Sequence, residues 1–541
     1  MVRVTQASPR WADATPERRI TAPDIISLFV DACVSAPDGA ALVFEDGTSL
    51  SRAELRGQVE RFAGYLSERV KPGDRVAIML ENRTEFMVTW LAVVANGGIL
   101  VSLNTSAGEY DAGHMLQDSG ATLAVVGGSA ETLVRSLQGR CPELREIVVV
   151  AKPEPDGLAA FQAAGGALDL ASIILDPDAP TNIYYTSGTT GPPKGCVTGH
   201  RYWLRFADLY LRLYDLTPAD RLLCCLQFFY GDPPWQMLVS LHARTALVVM
   251  RRFSVSRFWT VVREHDVTRL FGLASIPSLL LKAPPDARDH EHRVKFALQI
   301  GVPSASQTEL HERWGFPWVE GYGLSETGLV VGMPLEFGDA MAGSGSLGIP
   351  CPEVQVRICD DQGNETLANE PGEITLKAPG LMQGYWNQPD ATAEVFRDGW
   401  FHTGDIGRRD ERGFLFFMGR KKDMIRRSGE NVAAAEVEAL LRSHGAILEA
   451  AVVPVPDELR GEEVKAYVAL VEGGGQEKLG PDEIVEFCAQ RLSKHKVPRY
   501  IEYRTEPFPR TPSMRVKKSE LLAEPPSRGV EVWDREVELG W

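Results

Sequence analysis

The sequence predicts an α/β protein: a large N-terminal part of two α/β subdomains and a small β-rich unit, then an α+β C-terminal lid. Three observations carry this reading. Short apolar strands alternate with helical patterns through the first half, which calls for parallel sheets joined by crossover helices. After about Gly345 the strands become short and are separated by turn residues. Beyond the charge cluster Arg420-Lys421-Lys422-Asp423 the order becomes helix, strand, strand, helix. A hinge near Lys422 then divides the chain into 1–421 and 422–523, and the proline- and charge-rich 524–541 is expected as a loosely attached tail.

The elements follow in order. Ala53 to Glu68 places apolar residues at helical spacing, Asp74 to Met79 (DRVAIM) reads as a buried strand, and Phe86 to Ala95 is helical. Ala121 to Val126, Glu146 to Val150 and Asn182 to Tyr185 suit further strands. Ala246 to Met250, Phe253 to His265 and Thr268 to Gly272 repeat the βαβ rhythm. Val354 to Cys359, Gly372 to Leu376 and Gly413 to Gly419 are the turn-separated strands. The lid reads as helix Ala435 to Ser443, strands Ile447 to Val453 and Glu463 to Val471, and helix Pro481 to Leu492.

Composition narrows the function classes. The 541 residues are 44% hydrophobic and 24% charged, ample for large cores and for three or four folding units. With 57 basic and 73 acidic residues the formal charge is −16, and no basic block interrupts it. That balance argues against nucleic-acid and anionic-membrane partners. No run of about 18 apolar residues marks a membrane span, and the polar stretch Met1 to Arg19 lacks a signal-peptide core. The eight cysteines form no C-x-x-C pair and most sit in apolar runs. They read as small hydrophobes in a reducing compartment, so a cytoplasmic location is expected.

The sharpest feature is Tyr184-Tyr185-Thr186-Ser187-Gly188-Thr189-Thr190-Gly191-Pro192-Pro193-Lys194-Gly195. Small hydroxyls and glycines after a strand turn N–H and O–H donors toward an anion, and Lys194 adds a point charge. It is not a Walker loop, because Lys194 follows two prolines and precedes glycine. Gly343-Ser344-Gly345-Ser346-Leu347-Gly348 satisfies G-x-G-x-x-G in letters, yet no apolar strand precedes it and Ile349-Pro350-Cys351-Pro352 cannot start a helix. The dinucleotide reading therefore fails.

The twelve-residue string resembles the phosphate loop of the adenylate-forming superfamily: acyl-CoA synthetases, luciferases and nonribosomal adenylation domains. Gly321-Tyr322-Gly323-Leu324-Ser325-Glu326-Thr327, Gly399 to Asp405, Gly419-Arg420 through Gly429-Glu430-Asn431, and Pro509-Arg510-Thr511 resemble its later motifs in the same order. The likeness spans roughly Ile25 to Leu522. It implies an AMP-forming ligase that uses ATP, Mg²⁺ and coenzyme A, working by domain alternation about Lys422. It further assigns Thr186, Ser187, Gly188, Thr189, Thr190 and Lys194 to the ATP phosphates, and Glu326 to Mg²⁺. Tyr322 would stack on adenine beside Gly301-Val302-Pro303, with Glu320, Gly321, Gly323, Thr327 and Arg420 around the nucleotide and Asp405 on the ribose. Gly429, Glu430 and Asn431 would approach the pantetheine arm.

Two departures stand out. The terminal motif usually ends Gly-Lys, where this chain has Met514-Arg515 followed by Val516-Lys517-Lys518. Arg515 does the lysine's work, or Lys517 or Lys518 substitutes, or adenylation is slowed or lost; arginine's planar fork makes the exchange non-conservative. In the acyl region Tyr230 stands where the family offers histidine, within Phe229-Tyr230-Gly231-Asp232-Pro233-Pro234-Trp235. Phe229, Tyr230, Asp232 and Trp235 form either a cage for a quaternary ammonium acid or an apolar pocket for an aryl or medium acyl chain. The lid's Asp423 to Val432 resembles the carnitine/crotonobetaine-CoA ligase branch. An adenylating enzyme that loads an amine or a carrier protein, and a degenerate nucleotide- or acyl-CoA-binding protein, are the alternatives.

Overall fold

The structure, a computed structural model, describes residues 19–150, 157–158, 161, 166–186, 193–273, 275–302, 304–428, 430–457, 459–471, 479–510, 516–523 and 532–539. These form two compact units. One holds the described residues of 19–355 with 377–400, the other those of 356–376 with 401–539.

In the first unit a seven-stranded sheet runs in the order Gly384–Tyr385, Lys194–Gly199, Pro180–Thr186, Ile99–Ser102, Arg75–Met79, Leu123–Gly127, Glu146–Val150. The last five are mutually parallel, as the strand–helix alternation implied. Lys194–Gly199 folds back on Pro180–Thr186 as a hairpin, and Gly384–Tyr385 adds antiparallel to its outer edge. A second sheet places Ala40–Phe44, Ala246–Val249, Arg221–Cys224, Arg269–Leu273, Phe296–Ile300 and Trp318–Leu324 side by side and parallel. The hairpin partner Gly328–Gly332 follows, antiparallel.

Helix Thr84–Ala95 (TEFMVTWLAVVA) has no polar face, and all twelve of its residues are buried. A helix apolar all round belongs inside a core. Helix Arg52–Leu66 starts with a capping box: Ser51 accepts from the Glu54 amide while the Glu54 carboxylate accepts from the Ser51 amide, 2.8 Å away. Two backbone donors at the helix start are thus satisfied reciprocally. The G-x-G-x-x-G segment follows helix Leu335–Met341 and runs into strand Ser346–Pro350, the reverse of a dinucleotide fingerprint.

In the second unit, Gly372–Lys377, Trp400–Arg409 and Leu415–Arg420 form an antiparallel meander. A further sheet contains Glu430–Ala433, Met424–Arg427, Gly461–Leu470, Ile447–Asp457, Tyr500–Tyr503 and Trp533–Asp534. Helices Ala434–Arg442 and Pro481–Ala489 cover its core of Val437, Leu441, Val452, Val464 and Ile484. The terminal stretch corrects its sequence reading as a loose tail. Trp533–Asp534 pairs with Tyr500–Ile501, Arg499 holds Asp534 at 3.1 Å, and the buried Arg535 donates to the Val497 carbonyl at 3.0 Å. Its charged residues serve internal pairing, which composition alone reads as solvation.

All eight cysteines are buried and unpaired, in keeping with their apolar surroundings. Among the described residues no helix is long and apolar enough to cross a membrane.

Candidate active site

The phosphate-loop motif begins at the carboxyl end of a parallel strand, where open α/β sheets place their ligands. Thr186 ends Pro180–Thr186 and pairs with Lys194, the first residue of the return strand. Ser187, Gly188, Thr189 and Thr190 lie outside the described residues. Both stems are anchored to helix Glu109–Ser119. The Tyr185 hydroxyl donates to Asp118 at 2.6 Å, and the His114 ring nitrogen Nε2 lies 3.1 Å from the Pro193 carbonyl. Burial, reinforced by the Asp118 carboxylate, pushes the Tyr185 phenol up, so it remains a donor.

Glu326 sits in the turn between Trp318–Leu324 and Gly328–Gly332. Glycine is required here: a Cβ on Gly323 would lie 2.1 Å from the Gly328 carbonyl oxygen. Gly328 also adopts φ +60°, open to residues without a side chain. Thr327 closes the turn, its hydroxyl accepting from the Leu324 amide at 3.0 Å and donating to the Gly328 carbonyl at 2.9 Å. Thr327 is fully buried, which corrects its expected place against the nucleotide; its hydroxyl is spent on the turn.

The two motifs converge. Cys196, two residues after Lys194, places Sγ 3.4 Å from the Ser325 carbonyl, and the Tyr202 hydroxyl donates to the same oxygen at 3.0 Å. Tyr385, on the added third strand, donates its phenol to Glu326 Oε1 at 2.8 Å, and Lys194 Nζ lies 5.1 Å from the centre of the Tyr385 ring. The Met382 amide donates to the Glu326 carbonyl at 2.8 Å. Burial first, then the nearby carboxylates Asp232 and Glu326, raise the Tyr202 hydroxyl well above its usual range. The acyl-side carboxylate Asp232 therefore shares this neighbourhood with Glu326. Sequence reasoning missed Tyr385: its strand is two residues long and carries no period to read.

The expected nucleotide shelf draws on two adjacent parallel strands, Phe296–Ile300 and Trp318–Leu324. Gly301 adopts φ +79° and Val302 is buried; Pro303 lies outside the described residues. Glu320 supports this shelf from beneath. It is 5% exposed and accepts from the Gly301 and Val302 amides and from Gln307 Nε2 at 3.3 Å. Burial outweighs these bonds and pushes its carboxyl to about 8. Tyr322 is 6% exposed and pairs with Val331 across the hairpin, with Gly321 and Gly323 on either side.

The acyl-side residues divide. Phe229 and Tyr230 stack obliquely with ring centres 4.7 Å apart. Asp232 opens helix Asp232–His242 and accepts from the Trp235 indole at 3.3 Å; burial, partly offset by that bond, pushes its carboxyl to about 6. Trp235 is corrected from pocket wall to core: it is 0% exposed and stacks on Phe206 at 4.8 Å and tilts against Tyr210 at 4.9 Å. Pro233 and Pro234 preset the first helical turn and aim Trp235 inward.

In the second unit, buried Asp405 pairs with Arg420 at 2.8 Å across adjacent strands. It lies on a strand, and its amide donates to the Thr403 hydroxyl at 3.0 Å. Lys422 is exposed on the short helical turn Lys421–Asp423, and Glu430 and Asn431 lie on the strand of a hairpin whose turn contains Ser428 at φ +53°. Gly429 and Arg515 lie outside the described residues. Lys517 pairs with Glu520 at 2.8 Å and Lys518 with Glu438 at 2.7 Å.

The sequence profile of AMP-binding enzymes matches residues 29–386, and that of the AMP-binding enzyme C-terminal domain matches 436–515. The crotonobetaine/carnitine–CoA ligase of Escherichia coli is 32% identical over 491 residues, 87% of this chain and 92% of that protein. Its Salmonella typhimurium counterpart is 31% identical over 504 residues, 90% and 96%. Among solved structures, the o-succinylbenzoate CoA synthetase of Bacillus subtilis with its acyl-adenylate superposes with TM-score 0.81 at 27% identity, covering 96% of this chain and 99% of that one. ATP-bound MatB from Rhodopseudomonas palustris gives 0.82 at 27%, covering 92% and 98%. Profile, curated relatives and superposition agree with the motifs: the chain belongs to the AMP-binding enzyme family.

Proposed function

We propose that this chain is an AMP-forming acid–thiol ligase. It activates a small or medium carboxylic acid with ATP and Mg²⁺ and passes the acyl group to coenzyme A. The observation that supports this best is the meeting of Lys194 and Glu326 on Tyr385, because it joins a cation for phosphate to a carboxylate for metal in one cleft.

A substrate carboxylate oxygen attacks the α-phosphorus, the bond to the bridging oxygen of the β-phosphate breaks, and pyrophosphate leaves. Both reactants are anions, so preorganised positive charge lowers the barrier. Lys194 supplies part of it, and Arg515 or Lys517 completes it. Gly301, Val302 and Tyr322 receive the adenine, Asp405 with Arg420 the ribose. Among the described residues no cluster of three or more His, Cys, Asp or Glu is placed to hold a metal. One carboxylate plus ligand oxygens is a set that suits a hard cation, and Mg²⁺ at Glu326 supplies charge neutralisation to the phosphates. In the second step the thiolate attacks the acyl carbonyl and AMP departs, with Glu430 and Asn431 beside the pantetheine arm and Lys422 as hinge.

For the acid we propose one bearing a quaternary ammonium, of the carnitine or crotonobetaine type. The curated relatives carry that name, and Phe229, Tyr230 and Asp232 supply two rings and a carboxylate to a cation. The test is carboxylate-dependent AMP release across carnitine, crotonobetaine, benzoates and C4–C10 acids, with and without coenzyme A. Release that requires a betaine acid and coenzyme A is expected. Turnover confined to neutral acids refutes the substrate, release indifferent to coenzyme A refutes the acceptor, and no release at all identifies a binding protein.

A further inference from the structure

We infer that Tyr385 is a positioning residue for adenylation, holding the metal-binding carboxylate Glu326 and the phosphate-binding ammonium Lys194 in fixed relation. The inference rests on the reading of Glu326 as the Mg²⁺ ligand. Three features of the chain lead to it.

The first is how firmly Tyr385 itself is placed. Its strand pairs Gly384 with Val197 and Tyr385 with Cys196. The Tyr385 amide donates to the Thr392 hydroxyl at 2.9 Å, and that hydroxyl donates in turn to the Gln388 carbonyl at 2.9 Å. In the turn just after the strand, the Trp386 amide donates to the Gly195 carbonyl at 2.7 Å, and its indole donates to the Asp118 carbonyl at 3.0 Å. Trp386 therefore ties the strand to the helix that anchors the loop stems, while Tyr385 reaches Glu326.

The second is the chemistry of the contact. A carboxylate has two oxygens, and a phenol donating to Oε1 at 2.8 Å orients the group and leaves Oε2 to a cation. Among the described residues no other side chain bonds to the Glu326 carboxylate. With the 382–386 segment also holding the Glu326 carbonyl, both main chain and side chain of the carboxylate are set before ligand arrives. Hydrogen-bond partners that orient a metal-ligating carboxylate are worth about 10–100-fold in metal affinity.

The third is Lys194. Its ammonium at 5.1 Å from the ring centre lies within the range of cation–π attraction. One side chain thus spaces a cation that faces phosphate from a carboxylate that faces metal. A residue that merely filled space would leave metal affinity untouched.

The experiment compares Tyr385→Phe, which keeps the ring and removes the hydroxyl, with Tyr385→Leu, which removes both. Mg²⁺ dependence of ATP–pyrophosphate exchange is measured together with direct Mn²⁺ binding, by electron paramagnetic resonance, in the presence of a non-hydrolysable ATP analogue. For Tyr385→Phe, half-saturating Mg²⁺ and the Mn²⁺ dissociation constant should both rise about tenfold, with the KM for the acid and the urea midpoint unmoved. Tyr385→Leu should in addition raise the KM for ATP several-fold. Wild-type metal affinity in Tyr385→Phe overturns the inference. Glu326→Gln separates the two levels: if it too leaves Mn²⁺ binding unchanged, the metal assignment itself is wrong and the inference falls with it.

Discussion

Replacing Glu320 by glutamine tests the buried carboxyl under the nucleotide shelf. The group is 5% exposed, and burial raises it from 4.5 to about 8 despite bonds from Gly301, Val302 and Gln307. At about 1.4 kcal/mol per pKa unit, that rise corresponds to about 5 kcal/mol. The sign is fixed by proton binding. Below pH 4.5 the carboxyl is neutral in both folded and unfolded chains, and the stability it contributes is fully present. Between 4.5 and 8 the unfolded chain ionises while the folded one stays protonated, so wild-type stability falls with rising pH. Glutamine is neutral throughout. Urea unfolding of both proteins from pH 5 to 9 should therefore show the variant gaining on the wild type by about 1.4 kcal/mol per pH unit and levelling off above 8. A difference independent of pH would refute a buried, neutral Glu320.

The other expectations are sharper in activity. Asp232→Asn should raise the KM for a carnitine-type acid about tenfold or more and leave neutral acids unchanged. In the wild type, affinity for the cationic acid should fall as pH drops through about 6, where the carboxyl gains its proton; equal effects on charged and neutral acids would dismiss the pairing. Arg515→Ala should slow AMP release about 100-fold while Lys517→Ala, whose ammonium already pairs with Glu520 at 2.8 Å, changes little; the opposite ranking moves the role to Lys517. Gly323→Ala, with its Cβ 2.1 Å from the Gly328 oxygen, should cost about 2–3 kcal/mol in urea unfolding and displace Glu326 enough to abolish exchange. Unaltered unfolding and exchange would show that the turn tolerates a side chain. Glu326→Gln should keep the fold, measured by circular dichroism, and lose pyrophosphate exchange; near-normal exchange defeats the metal assignment.

What the sequence disclosed follows from the range of each interaction. The strands at 75–79, 123–127 and 146–150 were legible because each carries a run of consecutive apolar residues, such as VAIM after Arg75, as expected of strands in a covered parallel sheet. Glu326 was found through the resemblance of Gly321 to Thr327 to a family motif; that Gly323 and Gly328 are required by its turn is shown by the structure. Trp235 was misread because Asp-Pro-Pro-Trp looks like a pocket loop, whereas the prolines begin a helix and turn the indole toward Phe206 and Tyr210. Tyr385 was invisible because its partner Glu326 is 59 residues away in sequence. Nothing in Gly-Tyr-Trp-Asn announces a third strand on a hairpin made two hundred positions earlier. Arg535 was hidden for a related reason: a charged residue that reaches a buried carbonyl is indistinguishable, letter by letter, from one that meets water.

The late arrival of that third strand bears on biosynthesis. A ribosome releases the hairpin at 180–199 long before it has translated Gly384 and Tyr385. A nascent chain stalled ahead of them can close its parallel sheet yet still lacks the tyrosine on which lysine and glutamate meet. On the positioning role proposed for Tyr385, fragments ended before residue 384 should fold in part and bind metal at Glu326 more weakly than the full chain.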